Sequence, residues 1–79
     1  MQKEFLVKIN TIERVKEFVD ICNRYNEDID LSSGRYIIDA KSIMGIFSFD
    51  ILKPLTIHIH SDKEEVVNRF NEEMRKFKI

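Results

Sequence analysis

The sequence predicts an α+β fold: an open-faced β-sandwich, a four-stranded antiparallel sheet with three helices on one face, in the order β-α-β-β-α-β-α. Three observations predict it. Four short stretches alternate apolar and polar residues with a period of two, so each has one apolar face. Two longer stretches repeat apolar residues every three or four positions, so each has one apolar stripe. Strand-like and helix-like stretches follow one another closely, with no repeat, linker or low-complexity segment between them. One-sided strands and one-sided helices pack most economically as two layers, with helices on one sheet face and water on the other.

The elements follow in order. From Glu4 to Ile9, Phe5, Val7 and Ile9 alternate with Glu4, Leu6 and Lys8, a half-buried strand with Leu6 as an apolar residue on the outer face. Asn10-Thr11-Ile12-Glu13 reads as a capping box with Asn10 as the cap and Glu13 reaching back. The helix behind it carries Ile12, Val15, Phe18, Val19, Cys22 and Tyr25 on its stripe. Ile29 and Leu31 alternate with Asp28 and Asp30, Ser32-Ser33-Gly34 has hairpin-turn composition, and Tyr36, Ile38 and Ala40 alternate with Arg35, Ile37 and Asp39. These two strands are expected to pair antiparallel. A helix of one or two turns follows at Lys41–Ser48, and Asp50–Pro54 is a connection in which Pro54 blocks a continuing helix. Leu55, Ile57 and Ile59 then face one way, and Thr56, His58 and His60 the other. Ser61-Asp62-Lys63-Glu64 reads as a second capping box, opening a helix that runs to about Phe77 with Val66, Val67, Phe70, Met74 and Phe77 as its stripe.

Bulk composition narrows the function classes. The 79 residues, 43% hydrophobic, are expected to form a single domain over 1–79 rather than a disordered chain. Thirteen basic and 14 acidic residues leave a net charge of −1, with no basic excess to draw the chain onto nucleic acid or an anionic membrane. The lone Cys22 excludes an internal disulfide and a cysteine-built zinc site, and on the apolar stripe it reads as an inert packing residue. With no signal-peptide core at the start and no apolar run of membrane-spanning length, the expected location is cytoplasmic.

Little in the sequence points to catalysis. Two isolated glycines cannot build a phosphate-cradling loop, and the acidic run at Asp28–Asp30 lacks calcium-loop spacing. His58 and His60, two apart on a strand, leave the same face, but no third ligand lies near them in sequence, so surface histidines are expected rather than a metal site. No nucleophile has a base and an orienting group at hand. The chain is therefore expected to be neither an enzyme nor a cofactor or metal protein.

The informative stretch is Lys41-Ser42-Ile43-Met44-Gly45-Ile46-Phe47-Ser48. Ser42 is a good N-cap. A short helix starting there cannot bury Ile43, Met44, Ile46 and Phe47 together, so two of them must lie outside. A modifiable hydroxyl then stands beside a small exposed apolar patch, the makeup of a docking surface with a chargeable switch at its edge. The plainer alternative is that Ser42 only caps and the apolar residues only pack.

That octet and the order of elements together resemble the HPr family, small phosphocarriers of the bacterial sugar phosphotransferase system. The resemblance covers nearly the whole chain, and Tyr25 to Ser42 can be laid on the family pattern without gaps. It implies the open-faced sandwich and places Ser42 at the serine that HPr kinase phosphorylates. The family's other signature, Gly-(Ile or Leu)-His-x-Arg-Pro-Ala, is altered: Ile9 stands at the glycine, Thr11 at the phosphorylated histidine, Glu13 at the arginine and Arg14 at the proline. The only histidines, His58 and His60, belong to another element. A hydroxyl without a base is a poor phosphoryl acceptor, and Glu13 repels phosphate. The resemblance thus implies a histidine-lacking paralogue similar to catabolite-repression HPr. In such a protein phosphorylated Ser42, with Lys41, Ile43, Met44 and Phe47, contacts a catabolite control transcription regulator. A component relaying phosphoryl groups in the phosphotransferase system and a diverged interaction domain with an unrelated partner are the alternatives. Leu6 and Ile37 on the outer sheet face allow a monomer or a weak dimer.

Overall fold

The computed structural model describes residues 2–79. Its elements are β1 (Glu4–Val7), α1 (Ile12–Cys22), β2 (Asp28–Ser33), β3 (Tyr36–Asp39), α2 (Ile43–Ile46), β4 (Leu55–His60) and α3 (Glu64–Glu73), followed by a 3₁₀ turn at Arg75–Phe77. The four strands form one antiparallel sheet in the order β1-β4-β2-β3. The β-α-β-β-α-β-α order and the one-sided layering expected from the periodicities are both present.

Period-two alternation decides what each strand buries. Phe5, Val7, Ile29, Leu31, Leu55, Ile57 and Ile59 are all buried, with Ile9 just beyond β1. Against them lie Val15, Phe18, Val19 and Cys22 from α1, Val67 and Phe70 from α3, and Met74 and Phe77 after it. Three aromatic contacts run through the core, the first joining sheet to helices and the other two within the helical layer. The Phe5 and Phe70 rings are 6.1 Å apart, Tyr25 meets Phe70 edge-on at 5.2 Å, and Phe18 meets Phe77 edge-on at 5.7 Å. Such pairs add to the ~1.5–3 kcal/mol that burying each large apolar side chain contributes.

Both expected capping boxes are corrected. At α1 the cap is Thr11, not Asn10. Buried Ile9 holds the chain extended, and Thr11 keeps that extended backbone (φ −137°, ψ 158°) while its Oγ1 accepts from Arg14 N at 3.1 Å. The helix opens one residue late, so Glu13 occupies the second helical position, where a capping box needs it at the third. Ile12 becomes the first helical residue and stays 56% exposed, off the core. Ile21, outside the expected stripe, is buried instead; α2 packs against α1 and widens its covered face. At α3 the helix begins at Glu64 after Lys63, with no side-chain cap. Ser61 turns its hydroxyl to Lys63 N at 3.1 Å, a local turn that removes it as a helix cap. Glu64 and Glu65 in the first turn still suit the helix dipole. The last helix ends at Glu73 rather than continuing to Phe77; the 3₁₀ turn seats Phe77, whose carbonyl accepts from Lys8 N at 2.8 Å. Tyr36, expected on the same face as Ile38, is 73% exposed, because β3 is an edge strand and Tyr36 adjoins the hairpin turn.

Two core groups make the fold sensitive to alkali. Burial pushes the Cys22 thiol up from 9.0 to about 12, against a smaller pull down from Lys41 and a smaller push up from Asp39. Burial also pushes the Tyr25 phenol up from 10.0 to about 12, helped by its hydrogen bond to Glu73 and opposed by Arg69. Both groups are acids whose neutral form the fold favours. Between the unfolded and folded values the unfolded chain binds fewer protons, so stability falls as pH rises. The stability tied to these groups is full below pH 9 and is lost by about pH 12. Urea unfolding followed from pH 8 upward is expected to show a steep decline over that window, and Cys22→Ala is expected to flatten its first part.

Candidate functional site: the Ser42 segment and the mouth of α1

The chain leaves β3 through a tight turn in which Asp39 holds both following amides. Its Oδ1 accepts from Lys41 N at 2.8 Å and its carbonyl from Ser42 N at 3.0 Å. Ser42 then caps α2 as expected, with extended backbone and Oγ accepting from Gly45 N at 3.2 Å. A single turn follows, closed by Ile46 N to the Ser42 carbonyl and Phe47 N to the Ile43 carbonyl. Gly45 matters for space rather than for φ, since a side chain there would crowd the capping hydroxyl by a few tenths of an ångström. A Cβ there would lie 3.2 Å from Ser42 Oγ and 3.5 Å from Ile38 Cδ1.

The four apolar residues of the octet divide as one turn of helix dictates. Ile46 is fully buried and Ile43 half-buried, whereas Met44 is 83% and Phe47 45% exposed. Leu52, in the connection before β4, is exposed too. No periodicity marks it as a surface residue, and sequence reasoning passed over it. Lys41 is half-buried, and its Nζ donates to the Tyr25 carbonyl at 2.6 Å. Its charge is therefore directed at the carbonyl end of α1, where it is favourable, rather than outward. Asn23 Nδ2 donates to the carbonyls of Val19 and Lys41 and holds α2's entry to the end of α1.

Thr11 lies at the other end of the same helix. Eleven residues of α1 separate it from the Asn23–Lys41 tie, roughly 16 Å of helix. Beside Thr11, Arg14 is committed to holding the fold. Its Nε and Nη2 donate to the Lys8 carbonyl at 3.2 and 2.9 Å, Nη2 donates to the Lys76 carbonyl at 3.0 Å, and the guanidinium lies 5.1 Å over the Phe77 ring. Three of its five N–H donors are thus engaged with the chain itself.

His58 and His60 lie far from that mouth. Val7 pairs with Leu55 and Glu4 with His58, so the end of β1 that leads to Thr11 adjoins the start of β4, away from the histidines. Their side chains alternate with buried Ile57 and Ile59 and so lie on the face opposite the helices. The rings stack at 4.3 Å, His58 Nδ1 lies 3.3 Å from Glu4 Oε2, and His60 Nε2 lies 2.6 Å from Asp30 Oδ2. Among the described residues no group of three or more His, Cys, Asp or Glu is placed to hold a metal ion, and no helix is long and apolar enough to cross a membrane.

A family model described as the PTS HPr component phosphorylation site matches residues 14–76. The chain belongs to the HPr family. HPr proteins are the phosphocarriers of the phosphotransferase system. Solved HPr structures superpose over nearly the full length. HPr-C-His from Thermoanaerobacter tengcongensis matches with a TM-score of 0.74 at 20% identity, over 95% of this chain and 93% of that one. A phosphocarrier protein HPr from Bacillus anthracis str. Ames matches with a TM-score of 0.73 at 25% identity, over 99% and 96%. No curated protein matches the chain. The HPr match takes in the whole Ser42 segment and begins three residues after Thr11.

Proposed function

We propose that this HPr-family protein is a non-catalytic regulatory binding module that acts through Ser42 and the adjoining apolar residues. One observation carries the reading. The mouth of α1 holds Thr11, which the resemblance sets at the phosphoryl-accepting histidine of the HPr pattern, and both imidazoles of the chain lie on the opposite sheet face. The Thr11 Oγ1 accepts from Arg14 N, no side-chain base among the described residues hydrogen-bonds to it, and Arg14 has turned three of its donors to carbonyls. By contrast, the Ser42 segment keeps an exposed cap hydroxyl with Met44 and Phe47 beside it.

Phosphorylation of Ser42 by an HPr kinase adds about −1.5 to −2 charge at the amide end of α2. The first-turn amides and the dipole favour that charge by about 0.3–2 kcal/mol, toward the lower figure for a single turn. The fold changes little. What changes is the charge beside Met44 and Phe47, to be read by an arginine- or lysine-bearing partner such as a catabolite control transcription regulator. Lys41 and half-buried Ile43 border the contact. The setting is cytoplasmic, and no cofactor takes part. A second reading, an interaction domain with an unrelated partner, is favoured by the Ser42 cap bond, which gives the hydroxyl a structural use without modification.

Incubation with HPr kinase and ATP tests the proposal. The expected result is one phosphoryl group on Ser42 and none on Ser42→Ala. An unmodified chain, with authentic HPr labelled alongside, would leave the hydroxyl as a cap only.

A further inference from the structure

The two edges of the sheet are treated differently. Along β1 the chain's own end runs as cover: Lys78 bridges Val7, Lys8 N donates to the Phe77 carbonyl at 2.8 Å, and Ile79 N donates to the Leu6 carbonyl at 3.4 Å. Along β3 no strand among the described residues pairs with the outer side. Ala40 N donates to the Ile29 carbonyl at 2.9 Å, which fixes the alternation of the ladder. The polar backbone groups of Ala40, Ile38 and Tyr36 therefore face β2, and the amides of Ile37 and Asp39 with the Ile37 carbonyl face outward. This edge is short and ends in charged Asp39, whose carbonyl Ser42 N already occupies, but its middle is open. No proline, lysine or bulge interrupts Tyr36-Ile37-Ile38-Asp39, and Tyr36 and Ile37 are 73% and 66% exposed.

We propose that β3 is a self-pairing edge: it adds antiparallel to β3 of a second copy of this chain about a two-fold axis at Ile37, joining the two sheets into one. The strand is its own complement in that register. Ile37 faces Ile37 of the second copy, Tyr36 faces Ile38, and Arg35 faces Asp39. Outward-facing amides and carbonyls then meet each other, and the exposed apolar side chains cover like with like. Ile37 and Asp39 lie on one face of β3, and Arg35 is the hairpin-turn residue just before it, so the two-fold axis brings each Arg35 beside an Asp39 as two opposite-charge pairs. Asp39 Oδ1 is held by Lys41 N, which leaves Oδ2 for the arginine. A shift of one residue sets outward groups against inward ones. A shift of two sets Arg35 or Asp39 against Ile37. The occupant is therefore a second copy rather than an unrelated strand. A four-residue strand makes a small interface, so the dimer is weak and forms at high concentration.

Sedimentation equilibrium up to about 1 mM, the concentration at which weak association shows, reads the dimer directly. The expected result is a monomer–dimer equilibrium that Arg35→Asp weakens by about tenfold, two attractive pairs becoming two repulsive ones. Adding Asp39→Arg to that variant is expected to restore association, with circular dichroism confirming the fold of each. In parallel, Ile37→Cys is expected to oxidise to a covalent dimer, since residues paired in this way have Cα atoms about 5.5 Å apart, within disulfide reach. Tyr36→Cys, facing Ile38, is not. Buried Cys22 does not compete. A monomer throughout, a dimer indifferent to Arg35→Asp, or equal cross-linking of the two cysteine variants would overturn the proposal.

Discussion

Phe70→Ala is expected to lower the unfolding free energy by about 3–5 kcal/mol, the cost of removing a large aromatic side chain from a packed core. Phe70 is fully buried and is the ring against which both Phe5 of the sheet and Tyr25 at the end of α1 pack. Its removal opens a void where three elements meet, and none of them can close over it without moving the others. A chain of 79 residues has a stability of only about 4–12 kcal/mol, so this one change removes a large share. Urea unfolding at neutral pH measures it: the midpoint is expected to fall sharply with the slope little changed. A loss under about 1 kcal/mol would mean that Phe70 does not join the layers as described.

Met44→Glu is expected to do the reverse, leaving the fold alone and weakening the proposed docking. At 83% exposure Met44 packs little, so stability is expected to change by no more than about 0.5 kcal/mol. In the proposed docking role Met44 is the apolar contact beside a phosphorylated Ser42, and there the change is expected to cost about 2 kcal/mol or more, some thirtyfold in affinity, with a like charge set beside the phosphate. Titration of phosphorylated wild type and variant against the catabolite control regulator, with thermal melts of both, separates the two effects. Unchanged affinity would place the contact elsewhere on the surface.

Periodicity made the layers legible because burial here is one-sided. The inward residues of β1, β2 and β4 and most of the stripes of α1 and α3 follow directly from periods of two and of three to four, whereas Tyr36 and Ile12 fall outside the core and Ile21 inside it. Helix starts were less legible, since a cap depends on where tertiary packing releases the chain. Ile9 stays buried and delays α1 to Thr11, and Ser61 bonds its own neighbour instead of α3. The Ser42 cap could be read in advance because α2 is bounded locally, by Asp39 before it and Gly45 within it. The roles of Lys41 and Arg14 could not. Both side chains reach carbonyls that are distant in sequence, those of Tyr25 and Lys76, and no local pattern encodes such ties. The separation of the histidines from Thr11 likewise needed the register of β1 on β4.

The central claim is that a family member with Thr11 at the mouth of α1, Arg14 turned to carbonyls and both imidazoles on the far sheet face does not relay phosphoryl groups. Incubation with enzyme I and phosphoenolpyruvate, followed by recovery of acid-labile phosphate from the chain, measures this directly. The expected result is no acid-labile label on this protein while an authentic HPr in the same reaction is labelled. Label on His58, His60 or any other residue, passed on to a sugar-uptake component, would contradict it.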